Sequence, residues 1–530
     1  MIKKSFCTTK IYKDLQLQNK DLNYYFGITD KKFLHHVDNI YYAVFLKDDT
    51  TTKNDVPAEI CGFISFLQSL KDRITEKSID SVNFYNDLVL NRRVFKFYNL
   101  CLSIPNMFDI FVAGAVPNVN TPRIVIQLRS TGLWLNGDLQ MVDWSFQMLK
   151  EVLDMYKIEI DHLQENRIDW CYHTNYIQNT EEYLNDKILA VNCCTSLGIG
   201  MDVFRKYKNK IVKDYVSFGN RSSNNIFWRC YNKVKEVIEM NYKGYFFEVW
   251  YKNNLISYYD KYCYEYAYKA KSFNSVDVGK LKFYLEFGSN IKIKEEINIL
   301  LNAPSFTYDK ARDFIQYYKL CPDTTSVINV EWQTMRKFYR SCDKLIDNLY
   351  IRNDCNDFTC RLYQILDNRN IFLDYLTSNT ICFKKDNYEN IENNLPKNIS
   401  NNDRDKSIYL DWWFRLRHLK IDKLIDKKLI REYSKKLDLS KLINKCFADM
   451  ATLNLYMGNT KYEEINFDDD LSCLLNAIND NSNCYDLIGL GGEVTRIDDD
   501  YNRKKEKKLR SIKALLEKQS PTQNNNGKSK

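Results

Sequence analysis

Residues 166–173 (NRIDWCYH) constrain this chain more than any other segment. Period two places Arg167, Asp169, Cys171 and His173 on one face, and Ile168, Trp170 and Tyr172 on the other. A strand with two bulky aromatics on one side needs a thick apolar layer beneath it. The opposite side offers a carboxylate, an imidazole and a guanidinium. Residues 123–129 (RIVIQLR) alternate in the same way, with Ile124, Ile126 and Leu128 facing a core. Residues 226–233 place Arg229, Tyr231 and Lys233 on one face. Residues 244–252 (GYFFEVWYK) read as a further strand, with Glu248 between Phe246 and Trp250 on its own face. If these strands are neighbours, one surface carries a phenol, two carboxylates, an imidazole and several cations. That set suits phosphoryl chemistry on a polyanion, because carboxylates hold a hard cation and Arg or Lys stabilise added negative charge.

Helical periodicity follows the first alternating strand. Asp143 is placed to cap a helix carrying Phe146, Leu149, Val152, Leu153 and Tyr156. From about residue 253 onward helices dominate. The expected fold is α+β: a mainly antiparallel catalytic sheet with packed helices, followed by a mostly helical C-terminal region. The expected divisions are an N-terminal region at 1–80, a catalytic domain at 81–270 and a helical region at 271–392. An Asn-rich linker at 393–406, a helical accessory region at 407–500 and a basic tail at 501–530 complete the chain.

Composition removes several classes of protein. With 16 Gly and 8 Pro in 530 residues, collagen-like and proline-rich readings fail. The 5 His include no pair with the spacing of a multi-histidine zinc site. The 16 Cys are scattered without a Cys-x-x-Cys pair, so buried thiols in a reducing cytoplasm are expected. The first residues lack a signal-peptide core, and the longest apolar stretch, 97–116, is broken by Asn99, Pro105, Asn106 and Asp109. No membrane partner is expected. The net charge of +8 is carried entirely by residues 501–530, which hold ten Lys or Arg against two Glu. Such a tail is either a polyanion-binding arm or a solubilising terminus.

Three blocks, in this order, resemble the trans-acting rolling-circle replication initiation factor family. The family contains plasmid replication initiators and relaxases of integrative conjugative elements. The first block is Arg167-Ile-Asp169. The second is the turn at Phe218-Gly-Asn-Arg-Ser-Ser-Asn224, followed by Arg229-Cys-Tyr-Asn-Lys233 and Glu236. The third is Phe247-Glu-Val-Trp-Tyr-Lys252. The resemblance covers about residues 80–270, and the Arg-x-Tyr-Asn-Lys block is its most specific part.

The resemblance implies a site-specific, metal-dependent DNA endonuclease and strand transferase. Tyr231 is the implied nucleophile, Asp169 and Glu248 the implied metal ligands, and Arg221, Arg229 and Lys233 the implied phosphate contacts. His173 stands where many relatives have a second Asp, and Phe246 where many have an Arg. His173 is left as a metal ligand, a DNA contact or an ordinary hydrogen-bonded histidine. Residues i and i+4 of a strand lie about 13 Å apart, so Asp169 and His173 share one ion only if the strand bends. Oxygen ligands favour Mg or Mn over zinc.

Attack by the phenol conserves the phosphodiester bond energy, so rejoining needs no ATP. The sequence contains no Gly-x-x-x-x-Gly-Lys-Ser/Thr, so strand separation is expected from a host helicase. The DNA partner is an origin of replication or transfer on a plasmid or other mobile element. A homodimer is left open. The alternatives are a non-catalytic, sequence-specific DNA-binding protein of a mobile element, and a helical scaffold in which Tyr231 is only core.

Overall fold

The structure is a computed structural model. It describes residues 17–18, 22–27, 31–49, 56–114, 121–177, 201–202, 205–207, 210–212, 214–219, 225–347, 349, 357–385, 388–396, 398–419, 487–488 and 494–495. Two compact units divide the chain, Met1–Tyr433 and Ser434–Lys530. In the second unit the description is confined to the antiparallel pair Leu487–Ile488 and Val494–Thr495. Arg221, most of the expected accessory region and the basic tail lie outside the described residues.

The first unit is built on an 11-stranded sheet in which every paired neighbour is antiparallel. Its strands are β1 (Phe33–Leu46), β2 (Ser81–Tyr85), β3 (Leu88–Asn91), β4 (Leu100–Ile104), β5 (Phe108–Val112), β6 (Ile124–Leu128), β7 (Ile160–Thr174) and β8 (Met201–Asp202). After a separate small hairpin, β9 (Arg205–Tyr207) with β10 (Lys210–Val212), come β11 (Tyr215–Phe218), β12 (Ile226–Asn232) and β13 (Ile328–Met335). The spatial order is β2-β3-β4-β5-β6-β1-β7-β13-β12-β11-β8. With its packed helices and the many helices after residue 253, the molecule is α+β as expected.

The apolar residues of the alternating strands form one continuous face. Trp170, Trp332 and Trp228 stand opposite one another on β7, β13 and β12, and all three are fully buried. Helices cover this face with matching stripes. The helix Ala58–Glu76 buries Ile60, Phe63, Leu67, Leu70 and Ile74, at alternating spacings of three and four. The helix Asp138–Met155 buries Met141, Val142, Phe146, Leu149, Val152 and Leu153. Truncating one of the central tryptophans to Ala costs about 3–5 kcal/mol.

Several expectations change here. The strand expected at 244–252 is a helix, Tyr245–Lys252. Its buried residues are Phe246, Phe247 and Trp250, the i, i+1, i+4 pattern of a helical stripe. Asp143 lies inside a helix that begins at Asp138, and its carboxylate accepts a hydrogen bond from Tyr363. The sheet also draws strands from outside 81–270. β1 comes from the expected N-terminal region, and β13 from the expected helical region. β13 lies between β7 and β12, so strands adjacent in the expected catalytic domain are joined only through it. Within 393–406, residues 401–406 belong to the helix Asn401–Ile408. Among the described residues no helix is long and apolar enough to cross a membrane. Among the described residues no two cysteines form a disulfide with one another.

Candidate active site

Register fixes the polar face. β7 pairs with β13 so that Asp169 opposes Gln333, Cys171 opposes Glu331 and His173 opposes Asn329. β12 pairs with β13 so that Arg229 opposes Glu331 and Tyr231 opposes Asn329. Period two then aligns Asp169, His173, Asn329, Glu331, Arg229 and Tyr231 on the side away from the tryptophans. A second apolar cluster, including Phe246, Phe247 and Trp250, packs over this side. The rings of Phe246 and Trp250 lie 5.0 and 5.6 Å from that of His173. The polar face is therefore a buried layer between two apolar ones.

Tyr231 sits at the centre of a hydrogen-bonded group. Its hydroxyl accepts from Asn329 Nδ2 at 2.8 Å and from Lys233 Nζ at 3.4 Å, and donates to Glu331 Oε2 at 3.4 Å. Asn329 Nδ2 also donates to Glu331 Oε2 at 3.0 Å, and Arg229 pairs with Glu331 Oε1. Lys233 is the first residue of the short helix Lys233–Glu236, one residue beyond the strand, and its ammonium pairs with Glu236 at 2.7 Å. The Arg229 guanidinium and the Lys233 ammonium each lie 5.5 Å from the Tyr231 ring centroid.

Electrostatics set the resting protonation states. Burial, then the Glu236 charge, push the Tyr231 phenol well above its ordinary value, against Lys233 and Arg229, which pull it down. Burial disfavours the Lys233 ammonium, but the Glu236 carboxylate, by charge and hydrogen bond, and the Asp38 charge act against it and the lysine stays charged. The resting pair is thus a neutral phenol beside an ammonium. Tyr231 is only 3% exposed.

The three expected metal ligands do not form one set. Both oxygens of Asp169 accept from Arg167, and Oδ2 also accepts from Asn39 at 3.3 Å. Glu248 points outward from its helix and pairs with Lys261 at 2.6 Å and Lys252 at 3.3 Å. These lysines, Lys261 first, hold its carboxyl below the ordinary range. His173 Nδ1 accepts from Trp250 Nε1 at 3.0 Å, which leaves the ring proton on Nε2. A nitrogen that carries a proton is not a metal ligand, so this contact favours the hydrogen-bonded histidine over the ligand. Among the described residues no group of three His, Cys, Asp or Glu could hold a metal ion. The expected Mg or Mn does not fit this donor set.

The carboxylate that does meet Tyr231 is Glu331, with Asn329 beside it. Sequence reasoning passed over both, although residues 328–335 (INVEWQTM) alternate, with Asn329, Glu331 and Gln333 on one face. The polar face continues across β1 to β6 and β5. Gln127 Nε2 donates to Asn39 Oδ1 at 3.4 Å, and the fully buried Asp109 carboxylate receives both Arg129 and Arg93. An open cleft of about 700 Å³ lies above Asn39, Gln127, Arg93 and Arg129, walled on its other side by Tyr242, Lys243 and Tyr245.

No family model matches the sequence, and no curated protein matches it. Among solved structures, the chain is similar to the rolling circle replication initiator protein from Geobacillus stearothermophilus. The TM-score is 0.31 at 10% identity, over 74% of this chain and 100% of that one. A TM-score of that size does not establish a shared fold.

Proposed function

We propose that this chain is a DNA-nicking and rejoining protein that links Tyr231 to a DNA phosphate to start rolling-circle replication or conjugative transfer. The observation that supports the reading most is the convergence of Tyr231, Lys233, Arg229, Asn329 and Glu331 in one hydrogen-bonded group. Burying that many ionic groups side by side is expensive, and such groups concentrate at working sites. In the reaction the phenolic proton passes to Glu331 and the Tyr231 oxygen bonds to phosphorus. The phosphorus–O3′ bond breaks, and the leaving 3′ oxygen takes a proton from Lys233. Asn329 and Arg229 offset the charge that builds up during the transfer. The reverse steps reseal the strand. Attack requires the Tyr231 oxygen to be uncovered.

The low exposure of Tyr231 favours a second reading, a non-catalytic DNA-binding protein in which the polar group is structural. The test is trapping of a covalent adduct on DNA of the encoding element, with the attached peptide mapped. An adduct at Tyr231 that Tyr231→Phe abolishes supports strand transfer. An adduct at another tyrosine refutes the assignment, and an equal yield from Tyr231→Phe refutes the nucleophile.

A further inference from the structure

The cleft beside the buried group has features that the chemistry at Tyr231 does not use. The helix Lys233–Glu236 runs directly into a π-helical turn, Val237–Asn241, and π turns recur at functional sites. The turn ends at Tyr242 in the left-handed region, with φ 50° and ψ 38°. That conformation is uncommon for a bulky residue, and such strain clusters at ligand clamps. The backbone is held there by Tyr268, whose hydroxyl donates to the Tyr242 carbonyl at 2.7 Å. The result is an aromatic ring, 44% exposed, fixed at the wall of an open polar cleft. Lys271 Nζ lies 5.5 Å from the centroid of that ring.

Cations stand around the same cleft. Lys243 follows Tyr242, and Arg93 and Arg129 stand on the facing side. Asp109 offsets one of the two arginine charges, so the lining keeps a positive balance. The wall is continuous with the Tyr231 group. Tyr245 stacks on Phe246 at 4.5 Å, and the Phe246 ring centroid lies 5.3 Å from Lys233 Nζ. Asn39 on the cleft floor bonds to Asp169.

We propose that this cleft seats a single, unstacked nucleic-acid strand, with a base on the Tyr242 ring and phosphates against Lys243, Arg93 and Arg129. This rests on the strand-transfer reading and says where the strand lies. An aromatic platform with a few cations is how proteins hold single strands without reading base edges. At about 700 Å³ the cleft lies in the size range of ligand pockets.

The test is fluorescence anisotropy with a labelled 12-nucleotide single strand and the matching duplex. It uses the full chain carrying Tyr231→Phe, in which no adduct forms, so strand binding is read apart from strand transfer. Tyr242→Asn removes the ring and suits the left-handed backbone, so folding survives. It should weaken single-strand binding about 5- to 150-fold, the range for one lost base stack. Tyr242→Trp should restore it. Lys243→Gln should lower the log–log salt slope by about 0.7. Duplex affinity should stay within about twofold in each variant. Unchanged single-strand affinity in Tyr242→Asn overturns the proposal, as does an equal loss for strand and duplex. Equal competition by a mononucleotide also overturns it, because the cleft is then a small-ligand pocket.

Discussion

The Arg229–Glu331 pair offers the most demanding test of the buried layer. Glu331 has no exposed side-chain surface, and that of Arg229 is 9% exposed. Glu331→Leu removes the carboxylate and leaves the guanidinium charge uncompensated. Breaking one side of a buried pair costs about 3–5 kcal/mol. Arg229→Met leaves the carboxylate with neutral donors alone and should cost a similar amount. Replacing both, as Arg229→Met with Glu331→Leu, removes the stranded charge. The remaining penalty comes from Asn329 and Tyr231, which lose an acceptor, at about 1–3 kcal/mol in total. The double variant should therefore be more stable than either single one, with a coupling energy of at least about 3 kcal/mol. Equilibrium urea unfolding of the four proteins, with the slope checked for two-state behaviour, measures this cycle. If the double variant loses the sum of the single losses to within about 0.5 kcal/mol, the charges are independent and the account of this layer is wrong.

Three other outcomes follow from the same geometry. Tyr231→Phe removes a buried hydroxyl whose shortest contact is the 2.8 Å bond from Asn329, so chemical unfolding should show a loss of about 1 kcal/mol. A loss above about 3 kcal/mol would mean that the phenol holds the fold as well as the site. Burial first, then His36, Lys233 and Lys243, depress the His173 pKa against Asp38, and burial likewise depresses that of His36. Depressed histidines contribute stability above their unfolded value of about 6.5, and the contribution is lost as pH falls below it. Urea midpoints should fall between pH 7.5 and 5.0, at up to about 1.4 kcal/mol per pH unit for each proton taken up. His173→Gln should flatten the slope, and a flat wild-type profile would contradict the assignment. Glu248→Gln breaks only partly exposed ion pairs, and Lys261 keeps Glu265, so it should change stability by less than about 1 kcal/mol and leave adduct yield unaltered.

Local pattern determined much of this protein. Alternation marked residues 166–173, 226–233 and 123–129 as strands, overreaching at Lys233, which begins a helix, and it separated Trp170 and Trp228 from Asp169, Arg229 and Tyr231 correctly. Side-chain direction along a strand is a local property with period two, so a short stretch suffices to read it. The short run 244–252 carries apolar residues at both two- and four-residue spacings, and a pattern that brief fits a strand or a helix. Packing of Phe246, Phe247 and Trp250 into one cluster selected the helix and carried Glu248 outward. Only the tertiary structure decided which carboxylate meets Tyr231. β13 follows β12 by about a hundred residues of mostly helical chain, yet it pairs between β12 and β7 and brings Glu331 and Asn329 to the phenol. Alternation shows which way Glu331 faces, whereas its neighbours depend on long-range pairing and register, which no local pattern encodes. Burial of the polar face was decided in the same way, since it depends on the helices stacked above it.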